Sequence, residues 1–166
     1  MGFAVTGLSE VPATMTRQLR VEDAPEVTAL LRLAFSRQSV QTDPPSAALR
    51  ETDETIAAAI AEGGGAGIEL SGLLVGVVLW AEKEGGLYFG RLAVRPEWRR
   101  RGIARALIAA VEAEARRRGL SRVHLSTRLV LADNRKLFAS CGYVEGSLGT
   151  HDGYSAPTSV AMEKML

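Results

Sequence analysis

Apolar positions recur at spacings of three and four in some stretches of the chain and alternate or run together in others. Val27, Leu30, Leu31, Ala34 and Phe35 form a helical stripe, and the preceding Glu22-Asp23-Ala24-Pro25 supplies Asp23 as a cap and Pro25 for the first turn. Leu49, Ile56, Ala59 and Ile60 predict a second helix over about 46–62, stopped by Gly63-Gly64-Gly65. Three glycines can also cradle a phosphate, but no Lys-Ser/Thr and no helix follow them, so a helix stop is the better reading. The strongest stripe is 102–118, where Ile103, Leu107, Val111 and Ala115 lie four apart and Gly119 closes the helix. A short helix follows over about 133–140, ended by Gly142.

Strands are predicted at 16–21, 66–70, 73–82, 87–94, 121–127, 143–149 and 157–165. Ser71-Gly72 and Glu84-Gly85-Gly86 read as the turns of a meander. Leu73 to Trp80 is nearly all apolar, which predicts a strand buried on both faces. The order β α α β β β α β α β β, with hairpins and one strand-helix-strand crossover, indicates an α/β protein with a mixed sheet flanked by helices. Residues 1–15 read as an N-terminal extension and 16–166 as a single domain.

Bulk chemistry narrows the field. Twenty basic and nineteen acidic residues in 166 leave a net charge of +1, and aromatics make up 5%, so neither nucleic acid nor an anionic membrane is an expected partner. The arginines cluster at Arg99 to Arg101 and again at Arg116 to Arg118; the second cluster suits the C-terminus of its helix. The single Cys141 can form no internal disulfide, and His124 and His151 are far apart, so no metal site is expected. The N-terminus lacks the basic and apolar regions of a signal peptide and no apolar run is long enough to span a bilayer, which points to a cytoplasmic protein.

The informative stretch is Leu92-Ala93-Val94-Arg95-Pro96-Glu97-Trp98-Arg99-Arg100-Arg101-Gly102-Ile103-Ala104: a strand, a basic loop, then the start of the longest helix. A helix N-terminus offers unpaired N–H groups and partial positive charge, which suit phosphate oxygens. Gly102 and Ala104 are small enough for close approach of a ligand to the backbone. Three arginines ahead of a helix oppose its dipole, a conflict that an anionic ligand resolves. A solvated basic loop before an ordinary helix accounts for the same residues without a ligand. The segment is neither a Walker A loop nor a dinucleotide fingerprint.

Arg99-x-x-Gly102-x-Ala104 resembles the Arg/Gln-x-x-Gly-x-Gly/Ala signature of the GNAT superfamily of acyl-CoA N-acyltransferases, and the element order is similar from residue 16 onward. The resemblance implies a GNAT-type fold with a mostly antiparallel sheet, acetyl-CoA as co-substrate without a metal, and an amine acceptor. It places Leu92, Ala93 and Val94 beside the pantetheine arm. It places Arg99, Arg100, Arg101, Gly102, Ile103, Ala104 and Arg105 around the pyrophosphate. Asn134 resembles the family's pantetheine-binding Asn, although a simple helix cap explains it equally well. Phe138 stands where the family usually has a proton-donating Tyr, and it follows Asn134 more closely than the family's spacing. Because GNAT-like sheets often pair, the resemblance is compatible with a homodimer.

Acyl transfer needs a group that removes a proton from the attacking amine. His151 and Tyr154, in the loop between the last two strands, are the first candidates; Tyr88, Glu82 and His124 follow, with His124 expected to be structural. Gly90 is expected to mark a bulge that opens the sheet. The expected function is acetyl transfer to a primary amine of a small molecule or peptide in a ternary complex. The alternative is a non-catalytic acyl-CoA-binding module, to which Phe138 lends support.

Overall fold

The computed structural model describes residues 15–38 and 40–166. The proposed N-terminal extension therefore lies, apart from Met15, outside the described residues. The chain runs β1 (Thr16–Gln18), α1 (Ala24–Ser36), α2 (Asp53–Glu62), β2 (Gly65–Leu70), β3 (Leu73–Lys83), β4 (Gly86–Val94) and α3 (Ile103–Arg117). It continues with β5 (Arg122–Arg128), α4 (Ala132–Ser140), β6 (Val144–Gly149) and β7 (Ser159–Met165). Among the described residues seven strands form one sheet in the order β1-β2-β3-β4-β5-β7-β6. The pair β4–β5 is parallel and every other pair is antiparallel. This is the mixed α/β architecture expected from the element order, with the mostly antiparallel sheet that the resemblance implied.

Each face of the sheet carries its own core. On one side Val27, Leu30 and Leu31 of α1 and Ile56 and Ile60 of α2 pack on Leu74, Val77 and Leu79. On the other, Ile103, Leu107 and Val111 of α3 and Phe138 of α4 pack on Val75, Val78, Leu87 and Phe89. Strand β3 serves both cores, so Leu74 through Trp80 are all buried. Gly76 on β3 lets α3 sit close: a Cβ there would come within 2.5 Å of the Ile103 side chain. The N-terminus of α3 is thereby seated on the sheet.

Three sequence expectations need correction. The second helix does not run over 46–62. A 3-10 turn, Ala47–Arg50, comes first, and α2 begins at Asp53. The break arises because polar side chains compete for the backbone: Ser46 accepts from the N–H of Ala48, and Thr52 with Thr55 forms a reciprocal cap. The first strand stops at Gln18 rather than residue 21, and Val21–Asp23 forms a 3-10 turn. Asp23 precedes α1 as expected but makes no cap bond to it. Its carboxylate instead accepts from both Nη atoms of Arg17 (2.9 and 3.0 Å) and from the N–H of Arg20 (2.7 Å), tying β1 to the start of α1.

The Arg17 bonds hold the Asp23 carboxyl below the ordinary carboxylate range, against the opposing effect of burial. A depressed folded-state value means the pair stabilises fully above the unfolded pKa, about 3.9, and the contribution is lost as pH falls through the folded value. Asp23→Asn is expected to lower unfolding free energy by about 1–3 kcal/mol at neutral pH. Urea denaturation should show that difference shrinking as the medium is acidified below about pH 4.

Candidate active site

Strands β4 and β5 are joined over two residue pairs, Leu87↔Val123 and Tyr88↔His124, and then separate. A bulge drives the separation. Leu79 faces Gly90 and Val77 faces Ala93, so Val78 opposes both Arg91 and Leu92. The bulge starts one residue past Gly90, where it was expected, and places Arg91 at φ 54. Arg91 is held there by Glu51, whose Oε1 accepts from Nε (3.1 Å) and Nη2 (2.9 Å). Glu51 also accepts from the Thr55 hydroxyl, and its carbonyl takes a bond from Arg32 (2.7 Å).

Past the bulge, the N–H of Arg95 bonds the carbonyl of Val75 (2.8 Å). Alternation along the antiparallel ladder then turns Ala93 toward β3, and turns the N–H and C=O of Leu92 and Val94 into the opening. That opening continues as a groove of about 620 Å³, within the usual range for small-molecule sites. Leu92, Ala93 and Val94 form one wall; Leu131, Asn134 and Phe138 form the other. Arg100 and Ala104 lie at the far end, where a smaller hollow adds Gly102, Ile103 and Arg105.

The helix start at that end is built by two left-handed residues, Arg100 (φ 62) and Gly102 (φ 77), with Gly102 at the N-cap of α3. The first intrahelical acceptor is the Gly102 carbonyl, bonded by the N–H of Ala106 (3.0 Å), so the N–H groups of the first turn have no intrahelical partner, and Ile103, Ala104 and Arg105 line the hollow. The arginines divide their work. Arg99 donates to the carbonyls of Ala34 (3.2 Å) and Arg37 (3.3 Å), anchoring the end of α1. Arg101 lies over the Trp98 ring at 4.9 Å. Arg105 donates to Ser140 Oγ (2.8 Å) at the end of α4. Arg100 is exposed and lines the groove.

At its other end the groove joins a cleft through Phe35, Gln38, Leu92, Leu131, Asn134 and Phe138, which line both. Here Tyr88, Arg91, Ser126, Arg128 and His151 converge. The ring Nδ1 of His151 is hydrogen-bonded to the Thr158 hydroxyl, which also accepts from the His151 backbone N–H (3.1 Å) and donates to the Gly149 carbonyl. The tautomer in which Nδ1–H donates to Thr158 leaves Nε2 as an acceptor. Tyr88 is packed edge-on against His124 (centroids 5.3 Å), and burial pushes its phenol up while Arg91 and the Ser126 N–H oppose the shift.

The structure brings His151 and Tyr88 into the cleft but not the other proton-carrier candidates. The Tyr154 hydroxyl bonds the Asp43 carboxylate, pinning the 150–158 loop to the 41–46 loop, and Tyr154 is absent from the cleft wall. Glu82 is exposed and pairs with Arg118 (3.2 Å). His124 is buried, with Nε2 on the Lys83 carbonyl (2.8 Å), the structural role expected of it. Asn134 is exposed within the first turn of α4, whose N-cap position is Leu131. Phe138 is buried against Phe89 (5.9 Å) and presents no hydroxyl. Tyr143 packs beside it and donates to Glu112 (3.3 Å). The sequence reading overlooked Arg91 and Arg128. Arg128 shares strand alternation with His124 and Ser126, a signal that could have placed it on the same face; Arg91 owes its position to the bulge.

A split sheet, a hollow at a helix start and a polar cleft lie along one groove of this α/β protein. The profile of the Acetyltransferase (GNAT) family matches residues 22–143, and the chain belongs to that family. No curated protein sequence matches it significantly. Among solved structures it is similar to an N-acetyltransferase of Staphylococcus aureus (17% identity, TM-score 0.73, covering 91% of this chain and 97% of that one). It is similar as well to the ribosomal-protein-alanine N-acetyltransferase of Brucella melitensis (20%, 0.68, 91% and 99%). A third is the PaiA N-acetyltransferase of Thermoplasma acidophilum, solved with coenzyme A (17%, 0.71, 91% and 98%). Among the described residues no cluster of His, Cys, Asp and Glu could hold a metal, and no helix is long and apolar enough to cross a membrane.

The bulge depends on the Glu51–Arg91 pair. Glu51→Ala is expected to lower stability by about 1–2 kcal/mol, because it strands a half-buried guanidinium, and Glu51→Gln by less. Urea denaturation of the two variants checks the order.

Proposed function

We propose that this GNAT-family protein transfers an acetyl group from acetyl-CoA to a primary amine of a small molecule or peptide, by direct attack in a ternary complex. The observation that carries this reading is the continuity of the groove. It runs from the first turn of α3, through the open edge of β4, to His151. The pyrophosphate takes the N–H groups at the helix start, with Arg100 supplying charge. The pantetheine amides extend β4 by pairing with the outward groups of Leu92 and Val94, and Asn134 lies across from them.

The thioester then reaches the bulge. In the transfer step the amine nitrogen forms a bond to the thioester carbonyl carbon, and the C–S bond breaks as the tetrahedral intermediate collapses. The N–H of Leu92 is positioned to stabilise the oxyanion. Nε2 of His151 takes the proton that the amine loses. With Phe138 in the place of a hydroxyl, the thiolate leaves as an anion and is protonated by water or by the imidazolium. Tyr154 is assigned to holding the loop.

A second reading, a non-catalytic acyl-CoA-binding module, draws on Phe138 alone; thiol release from acetyl-CoA with a panel of amines separates the two. Transfer is expected to give amine-dependent thiol release, and His151→Gln should lower kcat/KM by about 100-fold or more. Binding without thiol release for every amine would leave the module. Ala104→Glu tests the pyrophosphate placement. A carboxylate suits the first turn of a helix, so the fold is kept, while affinity for acetyl-CoA by isothermal titration should fall about tenfold or more. Unchanged affinity would move the pyrophosphate elsewhere.

A further inference from the structure

We propose that the acceptor is an amine that also carries a carboxylate, as a free amino acid does, and that Arg128 is the residue that selects it. The inference rests on the acyl-transfer reading and concerns the acceptor end of the same site.

The charge inventory of the cleft is one-sided. Arg91, Arg128 and His151 line it, and among the described residues no Asp or Glu does. Arg91 brings its own counter-ion, since two of its nitrogens lie on Glu51. Arg128 does not. Its Nη1 donates to the Pro44 carbonyl (2.6 Å) and its Nη2 to the Pro45 carbonyl (3.4 Å). These are neutral acceptors, and no described carboxylate forms an ion pair with it. Asp43 attracts it only from beyond ion-pair distance and is itself engaged by the Tyr154 hydroxyl. Burial pushes the Arg128 guanidinium down, the direction expected of a cation short of compensation.

A guanidinium has five N–H donors, and two bonds to carbonyls leave donors for a planar, bidentate anion. A partly desolvated cation without a counter-ion is costly, and a ligand that supplies the anion recovers that cost on binding. The two proline carbonyls fix the fork in place, which is the preorganisation a selective contact needs. Its location also fits. Arg128 is paired with Ser159, and Ser159 with Gly149, two residues before His151. The anion anchor and the proton acceptor therefore stand at the same end of three neighbouring strands, close enough for one small molecule to use both.

The test uses matched acceptors, each an amino acid and the corresponding amino-acid amide, with thiol release from acetyl-CoA as readout. The native protein should favour the acid over the amide by about tenfold or more in kcat/KM. In Arg128→Gln that ratio should fall to about one, with the loss in acceptor KM rather than kcat; Arg128→Lys should retain part of the preference. Equal rates for acid and amide with the native protein would overturn the proposal while leaving acyl transfer standing. So would an equal loss for both acceptors in Arg128→Gln, which would mark Arg128 as a strut between loops. If Arg128→Gln does not fold, the native acid-to-amide ratio and Arg128→Lys still decide. Absence of thiol release with every amine would remove both readings together.

Discussion

Strands β4 and β5 part company just before β4 takes on one residue more than β3 can match. That mismatch, at Arg91 and Leu92, is the constraint on which the rest of the site depends. It frees the outward backbone groups of Leu92 and Val94, which in a closed sheet would be spent on β5. It opens space between the two strands, and it orients β4 so that the chain leaves toward the helix start at Gly102. The cost is a left-handed arginine, and Glu51, in the segment just ahead of α2, offsets it. The residues that maintain the opening and those that line it are thus largely different.

Electrostatics divides the groove into two ends of the same sign with different origins. At α3 the positive potential comes from backbone N–H groups and from the arginines, since the partners of Arg99, Arg101 and Arg105 on α1, Trp98 and α4 are neutral and leave their charges in place. The arginine cluster also braces α1, Trp98 and α4 around the helix start. At the cleft end the potential comes from side chains, and there Arg128 is the cation whose partners are neutral.

Much of the architecture is legible in local pattern. The four-residue spacing of Ile103, Leu107, Val111 and Ala115, the apolar run from Leu74 to Trp80 and the glycine stop at 63 each impose one element, because periodicity and backbone freedom act over a few residues. The Arg99-x-x-Gly102-x-Ala104 segment could be read for the same reason: a helix start and its small residues are contiguous in the chain. Where polar side chains outcompeted the helix, at Ser46 and Thr52, the apolar pattern alone was misleading.

The cleft lined by Arg91, Arg128 and His151 was not legible in that way, because none of its determinants is local. Arg91 meets Glu51 across forty residues, Arg128 meets Pro44 across eighty-four, and Tyr154 is drawn out of the cleft by Asp43 across one hundred and eleven. The sequence by itself determined most of the helices and strands and marked the helix start at Gly102, since helix termini and hydrophobic periods are short-range properties of the backbone. Only the tertiary structure decided which arginines are spent on the fold, which one keeps neutral partners in the cleft, and which of two neighbouring loop residues, His151 and Tyr154, lines it. Charge pairing is settled by whichever groups the packing brings together.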